Sequence, residues 1–508
     1  MKKNRILNLI SLILFLICIF ELFYKFGEVP SGIHVDEAGS LYDAFSILNY
    51  SVDRFLYKNP VYFINYGGGQ NALYTYLAIF FMKLFGKNLY SFRLVAVVFS
   101  LVSYFLFYKL IRKYDSKVKS IFILFLLTIL PFYIMKSRWG LESYLLNSFF
   151  IISLYFFVTA IEKRSNLYYF ISGICFGITL YTYAINYLIL PLFLVSILIY
   201  LLISKKIKIK NIICLMMPII IFAIPLILLL LINNVAIDKE IITNFISIPK
   251  LWNYRRGEIS LSNFKFFIYD LWIIFFGDAL DYNTIEGFGT MYFISIIFVC
   301  VGLYDLVKKV KENRLTLIDI IMLILFFVVL ICTFLFLNVR VNKVNLIYVP
   351  LVYFIASFFE FLYHNKFKVL LSFILILYCC YYFSFINVYF NQFKPSYLFV
   401  AGDYFKVLDY VEAIYDNKDY SSICISTNVQ QDYIFTLLTN HVSPFDFNNN
   451  VVIQDNKVFS YEHYIYDCDE LNTDYVYLVS NDDKLIEEAK VNNYNITNIG
   501  DYYVLYKK

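Results

Sequence analysis

Charge is scarce in this chain. Of 508 residues only 16% are charged, while 60% are hydrophobic; an ordinary soluble protein carries about 25% charged residues. That composition excludes a soluble multidomain enzyme, a disordered chain, a fibrous protein and a nucleic-acid binder. A mean hydropathy of +0.66 demands a bilayer. Histidine is rarer still: four residues, scattered, which argues against zinc chemistry. The nine cysteines form no C-x-x-C, and seven of them lie in apolar segments. Only Cys424 and Cys468 fall in polar sequence, where one disulfide and two free thiols are both open. Residues 389–508 contain no glycine-rich phosphate loop, so no nucleotide site is read there.

What the chain has in quantity is long apolar runs. The first spans Ile6 to about Tyr24, behind Lys2, Lys3 and Arg5. It is long enough to cross a bilayer, and no small-residue cleavage site follows it. Further runs lie near 89–110, 119–135, 143–161, 167–183, 185–203, 211–233, 288–306, 315–337, 344–362 and 368–388, roughly eleven spans in all. Charge divides the chain. Residues 389–508 hold 8 Lys/Arg and 18 Asp/Glu, the preceding residues 35 and 20. The expected organisation is a basic membrane domain over 1–388 and an acidic α/β domain over 389–508. In the latter, 403–416 has helical spacing, and 421–427 and 474–480 read as buried strands.

Alternate short loops are basic: Arg112, Lys113, Lys117 and Lys119; Lys163 and Arg164; 204–210; 308–314; Lys366 and Lys368. The positive-inside rule puts these and the N-terminus in the cytoplasm. The opposite connections (26–88, 136–140, the stretch near 234–287, and 338–343) then face outside, as does 389–508. Two apolar pieces in the outside connections, 71–86 and "FKFFIYDLWIIFFG", are too short or too aromatic for spans and read as interfacial helices.

Polar chemistry collects on that outer side. "GIHVDEAGSLYDA" at 32–44 places Asp36 and Glu37 together just after the first span, in a loop that also carries Asp43 and Asp53. Partial burial there would bring a carboxylate toward the range of a general base. "KSRWGLESYLLN" sets Arg138 and Glu142 four apart, the spacing of a pair on one helix face. An arginine fork there matches phosphate geometry. "GDALDYNTIEGFGT" supplies Asp278, Asp281 and Glu286. Arg340 and Lys343 are basic residues in an outside loop, against the charge rule. "YGGGQNALY" at 66–74 marks a flexible turn.

Carboxylates and guanidiniums on one face, without a metal cage or a nucleotide loop, suit glycosyl transfer from a polyprenyl-phosphate sugar. The leaving phosphate is already a stable anion. One carboxylate takes the acceptor's proton, and basic residues hold the phosphate. On "HVDEAGSLYDA", "NPVYFINYGGGQNALYTYL", "FGKNLYSFRL", "SRWGLESYLL" and "DALDYNTIEGFG", the sequence resembles the integral-membrane glycosyltransferases of the C-type fold. It is most similar to the branch of the protein O-mannosyltransferases and the lipid A aminoarabinose transferase. The resemblance implies Asp36 as the catalytic carboxylate, with Glu37 in support or at the acceptor. Arg138 would lie near the donor phosphate, with Arg93, Arg340 and Lys343 as looser candidates there; Asp278 and Asp281 are acidic candidates of the second loop. No cofactor is expected, and a divalent metal is left open. The partners implied are the bilayer, a polyprenyl-phosphate sugar donor and a glycan, lipid or protein acceptor. The competing readings are a transporter or flippase of lipid-linked sugars, which would need midplane sites and an internal repeat, and a non-catalytic membrane assembly protein.

Overall fold

The computed structural model describes all residues except 1, 66–67, 235–236, 238, 255–258, 279, 337–338, 397–399, 417–418, 428, 430, 482–483 and 508, and only the backbone of residues 2 and 3. The helices are, in chain order, α1 (Lys2–Phe23), α2 (Val35–Tyr50), α3 (Leu73–Phe85), α4 (Leu89–Tyr114), α5 (Lys117–Ile129), α6 (Pro131–Lys136), α7 (Glu142–Lys163), α8 (Asn166–Thr179), α9 (Asn186–Ile203), α10 (Ile209–Asn233), α11 (Phe267–Phe276), α12 (Ser295–Lys311), α13 (Leu317–Phe334), α14 (Val341–Val344), α15 (Tyr348–His364), α16 (Lys368–Asn391), α17 (Tyr404–Asp416), α18 (Tyr433–Thr439), α19 (Pro444–Asn450) and α20 (Leu485–Val491). The strands are β1 (Ile33–His34), β2 (Tyr62–Phe63), β3 (Gln70–Asn71), β4 (Ile241–Ile242), β5 (Ser247–Ile248), β6 (Val400–Ala401), β7 (Ser422–Ser426), β8 (Val451–Gln454), β9 (Lys457–Tyr461), β10 (Tyr464–Tyr466), β11 (Tyr475–Ser480), β12 (Asn495–Ile499) and β13 (Tyr502–Tyr506).

Among the described residues, eight helical segments are long and apolar enough to cross a membrane: α1 from Asn4, α4, α7, α9, α10, α13, Val341–His364 and α16. The chain is a multi-pass membrane protein. Three of the expected eleven spans fall on shorter helices. The run at 119–135 is cut at Leu130, because Pro131 has no N–H to continue the ladder and starts a new helix at its first position. The runs near 167–183 and 288–306 fold as α8 and α12, of 14 and 17 residues.

The chain divides into two compact units. The first comprises Met1–Val29, Arg93–Ile227 and Arg256–Phe393. The second comprises Pro30–Phe92, Leu228–Arg255 and Lys394–Lys508. In the first unit α15 is the hub, its residues 348–359 all buried, with α5, α12, α13 and α16 packed around it. Gly302 of α12 lets that helix close on α15: a Cβ there would lie 2.1 Å from the carbonyl of Phe354. Lys119 joins three elements, its Nζ lying 2.8 Å from Asp115, 3.5 Å from Glu360 and 4.0 Å from Asp319.

The second unit is built on a seven-stranded sheet of order β12-β13-β11-β7-β10-β9-β8. β7 runs parallel to both neighbours, β11 and β10, and the outer pairs are antiparallel. Ile423 and Ile425 face one core, while Cys424 faces the other, under α20. Burial on both faces explains the unbroken apolar run that reads as a strand at 421–427. A disulfide joins Cys424 to Cys468. The larger core takes in Val35, Ala38 and Tyr42 of α2 beside Val407, Leu408 and Ile434. β1 pairs antiparallel with β6, His34 opposite Val400. The first loop and the C-terminal residues therefore fold around one core.

Candidate active site

The Asp-Glu motif forms the first turn of α2. His34 is the N-cap residue: its Nδ1 accepts the backbone N–H of Asp36 at 3.0 Å. Glu37 returns the bond, its Oε2 accepting the backbone N–H of His34 at 3.0 Å. This is a capping box with histidine where serine or threonine is usual. Glu37 is fully buried, so its carboxylate supports the turn. Asp36 differs: its side chain is 39% exposed while its neighbours on α2 are buried. The first turn of a helix is also where a carboxylate is electrostatically favoured.

A short hairpin lies against this turn. β2 and β3 pair with Phe63 opposite Gln70. The backbone carbonyl of Asn65 accepts the N–H groups of Gly68 and Gly69, at 2.9 and 2.7 Å. Gly69 has φ +102°, and a Cβ there would lie 2.3 Å from the Tyr62 ring, so this position needs glycine. The hairpin directs two carboxamides at α2. Asn65 Nδ2 donates to Asp36 Oδ1 and to Gln70 Oε1, both at 3.2 Å, and Gln70 Nε2 donates to the Asp36 backbone carbonyl at 3.2 Å. Sequence reading saw only a turn here; the residues after the glycines were the available signal.

Deeper in the same unit, Arg54 clamps Asp43 through Nε (3.0 Å) and Nη2 (2.7 Å), and its Nη1 donates to the Tyr433 hydroxyl at 3.2 Å. Both partners are buried. Asp53 is buried beside them, and burial with the Asp43 charge pushes its carboxyl up to about 8. It is Asp53, held by the N–H groups of Phe55 and Tyr57, whose carboxyl burial raises in this loop.

The remaining expected residues lie in the first unit. Arg138 is fully buried, and its guanidinium spans the end of α1. It donates to the carbonyls of Glu21, Leu22, Tyr24, Lys25 and Val29 at 2.7–3.0 Å. The last carbonyls of a helix have no intrahelical partner, and this arginine takes them. Arg138 and Glu142 are not one turn apart on a helix, as the spacing implies. α6 stops at Lys136 and α7 starts at Glu142, so the two residues lie on no common helix. Arg93 is buried too, stacked over Trp139 at 4.9 Å.

Asp278 is fastened by Asn283 Nδ2 (3.0 and 3.2 Å) and the N–H groups of Leu280 (3.0 Å) and Val341 (2.8 Å). Burial raises its carboxyl, and these bonds with the Arg340 charge oppose the rise. The structure thus brings Asp278 to the start of α14, where Arg340 is the half-buried N-cap residue. Asp281 is half-buried three residues on from Asp278, and Lys343 lies over the Phe336 ring at 5.8 Å. Among the described residues no group of three or more His, Cys, Asp or Glu is placed to hold a metal ion.

A sequence profile described as dolichyl-phosphate-mannose-protein mannosyltransferase matches residues 71–237. Among solved structures, ArnT from Cupriavidus metallidurans in the apo state superposes with a TM-score of 0.59 at 11% identity, covering 99% of this chain and 98% of that one. The chain has the C-type glycosyltransferase fold. ArnT bound to undecaprenyl phosphate gives 0.51 at 10% identity, with the same coverage. The archaeal oligosaccharyltransferase AglB from Archaeoglobus fulgidus, complexed with an inhibitory peptide and a dolichol-phosphate, gives 0.52 at 12% identity. There 87% of this chain matches 65% of the other, so this chain spans less than two thirds of that relative. No curated protein sequence matches the chain.

Proposed function

We propose that the protein transfers a sugar from a polyprenyl-phosphate donor to an acceptor on the outer face of the membrane, with Asp36 as general base. The acceptor oxygen attacks the anomeric carbon and gives its proton to the Asp36 carboxylate. The bond from that carbon to the phosphate oxygen breaks, and the lipid phosphate leaves with the electron pair. The observation that carries this reading is the contrast within one turn: Glu37 is buried and closes the cap, while the Asp36 side chain is 39% exposed. The fold match to a protein solved with undecaprenyl phosphate supports the donor class.

For the donor phosphate we take Arg340 and Lys343, which are half-buried, ahead of the buried Arg93 and Arg138. The Arg138 donors are spent on main-chain carbonyls. Asp278 would hold the Arg340 loop in place through Val341. The N-terminus is assigned to the cytoplasm and residues 389–508 to the outside; the basic loops support this, and so does the Cys424–Cys468 disulfide, a bond that persists in oxidising compartments.

The test is transfer from a radiolabelled polyprenyl-phosphate sugar by protein in proteoliposomes. Asp36→Asn keeps shape and folding but cannot accept the proton, and a positioned base contributes about 10²–10⁴-fold. Turnover within a few fold of wild type in that variant removes Asp36 from the role.

A further inference from the structure

A general base must present one oxygen in one direction, yet the terminal torsion of an aspartate is broad. Asp36 is part-exposed, so packing alone does not fix it. What grips it is the hairpin. Asn65 and Gln70 are each 3% exposed, and burying two carboxamides is unfavourable unless they are bonded. Here both NH2 groups are bonded, Asn65 to the Asp36 carboxylate and Gln70 Oε1, and Gln70 to the Asp36 carbonyl, while Asn65 Oδ1 is buried with no hydrogen-bond partner among the described residues. A Cβ on Gly39 would lie 3.1 Å from Asn65 Oδ1, so the carboxamide sits tight against the backbone of α2.

The chemical type matters as much as the contact. A lysine or arginine at this place would pair with the carboxylate and weaken it as a base. A second carboxylic acid would compete for the proton. A primary amide is neutral, donates a hydrogen bond, and does not titrate. It orients the carboxylate, and its single hydrogen bond favours the ionised form far less than a full opposite charge would. We infer that Asn65, locked by Gln70, is the positioning residue of Asp36, setting which carboxylate oxygen meets the acceptor hydroxyl. This rests on Asp36 being the general base.

The experiment compares four variants in the proteoliposome transfer assay, with thermal unfolding in detergent as the folding control. Asn65→Leu keeps volume and removes the donor. It should lower kcat about 10- to 100-fold, the range for losing a hydrogen bond to a charged group, with KM for the polyprenyl-phosphate donor within about threefold. Gln70→Leu should give a smaller fall in kcat, because Asn65 keeps its bond to Asp36. Asn65→Asp places a second carboxylate beside Asp36, and the pair must share a proton. The acidic limb of its kcat profile should move up by about one pH unit or more, with activity returning at higher pH, which reads whether the residue at 65 faces the carboxylate that titrates in catalysis. If Asn65→Leu fails to fold, the Asn65→Asp profile decides alone. Wild-type kcat in Asn65→Leu, or an Asn65→Asp profile that overlays the wild type's, overturns the inference. Asp36→Asn run alongside separates the two levels: if it stays active, the base assignment itself fails; if it is dead while the Asn65 variants behave as wild type, only the positioning role fails.

Discussion

Two buried lysines show how a partner decides the worth of a charge. Lys119 and Lys136 are each 2% exposed or less. Lys119 donates to Asp115 (2.8 Å) and Tyr353 (3.0 Å), with Asp319 and Glu360 around it. Lys119→Met leaves three carboxylates facing one another, and breaking a buried pair by removing one partner costs about 3–5 kcal/mol. A marked fall in detergent Tm is expected. Lys136 Nζ has no hydrogen-bond partner among the described residues and lies against the rings of Phe132, Tyr104 and Tyr133 at 4.9–5.5 Å. Lys136→Met fills the same volume without a lone amine to desolvate, so its Tm should rise, by the equivalent of about 1 kcal/mol or more. Equal Tm changes of one sign in the two variants would show that the acidic partners do not set the difference.

Asp53 gives the first loop a pH dependence with a definite sign. Unfolded, an aspartate loses its proton near ~4; folded, Asp53 keeps it up to about 8. Between those values the folded chain binds more protons, so stability falls as pH rises, by at most about 1.4 kcal/mol per pH unit. Asp53→Asn retains an oxygen acceptor for the Phe55 and Tyr57 N–H groups and cannot ionise. Its Tm should therefore exceed the wild type's increasingly from pH 5 to pH 8, read by differential scanning fluorimetry. A wild-type Tm that rises across that window contradicts the assignment.

At the scale of elements, the parts that sequence reveals are those whose forces are local. The apolar runs of α1, α4, α7 and α16 are visible because a bilayer demands about 20 apolar residues. The helix over 404–416 and the strands over 422–426 and 475–480 show their period or their burial directly. The hairpin of β8 and β9 was missed, although Asp455 and Asn456 both have positive φ and form the two-residue turn that hairpins favour. The Asp36–Glu37 signal was legible, but the division of labour within it was not. That division depends on His34 acting as a cap and on Asn65 arriving from 29 residues away. For Arg138 and Glu142 the spacing implies a shared helix face only on a continuous helix, and the chain between Lys136 and Glu142 is not helical.

At the scale of the whole molecule, the acidic C-terminal residues are part of the machinery that holds Asp36. Helix α2 puts Val35, Ala38 and Tyr42 into the core that α17, α18 and β7 build, and the Tyr42 hydroxyl donates to the carbonyl of Val442 at 2.8 Å. Arg54 reaches Tyr433, and Asn448 donates to the Arg54 carbonyl at 2.7 Å. Deleting residues 394–508 would uncover all of these at once. Val35 and Tyr42 would be left in water, each unfavourable by about 1.5–3 kcal/mol when fully exposed, together with Ala38 and the buried Asp43–Arg54 pair. The eight segments suited to crossing the membrane end by Asn391, so the truncated chain should still insert and purify. Its first loop, however, should become protease-sensitive between residues 35 and 60, and transfer should vanish even with all candidate site residues present. Limited proteolysis of full-length and truncated protein in the same detergent, followed by mass spectrometry of the fragments, reads this directly. A truncated chain whose first loop resists cleavage as the full chain does would show that α2 is held without the C-terminal core, and that the core serves the acceptor or some other partner instead.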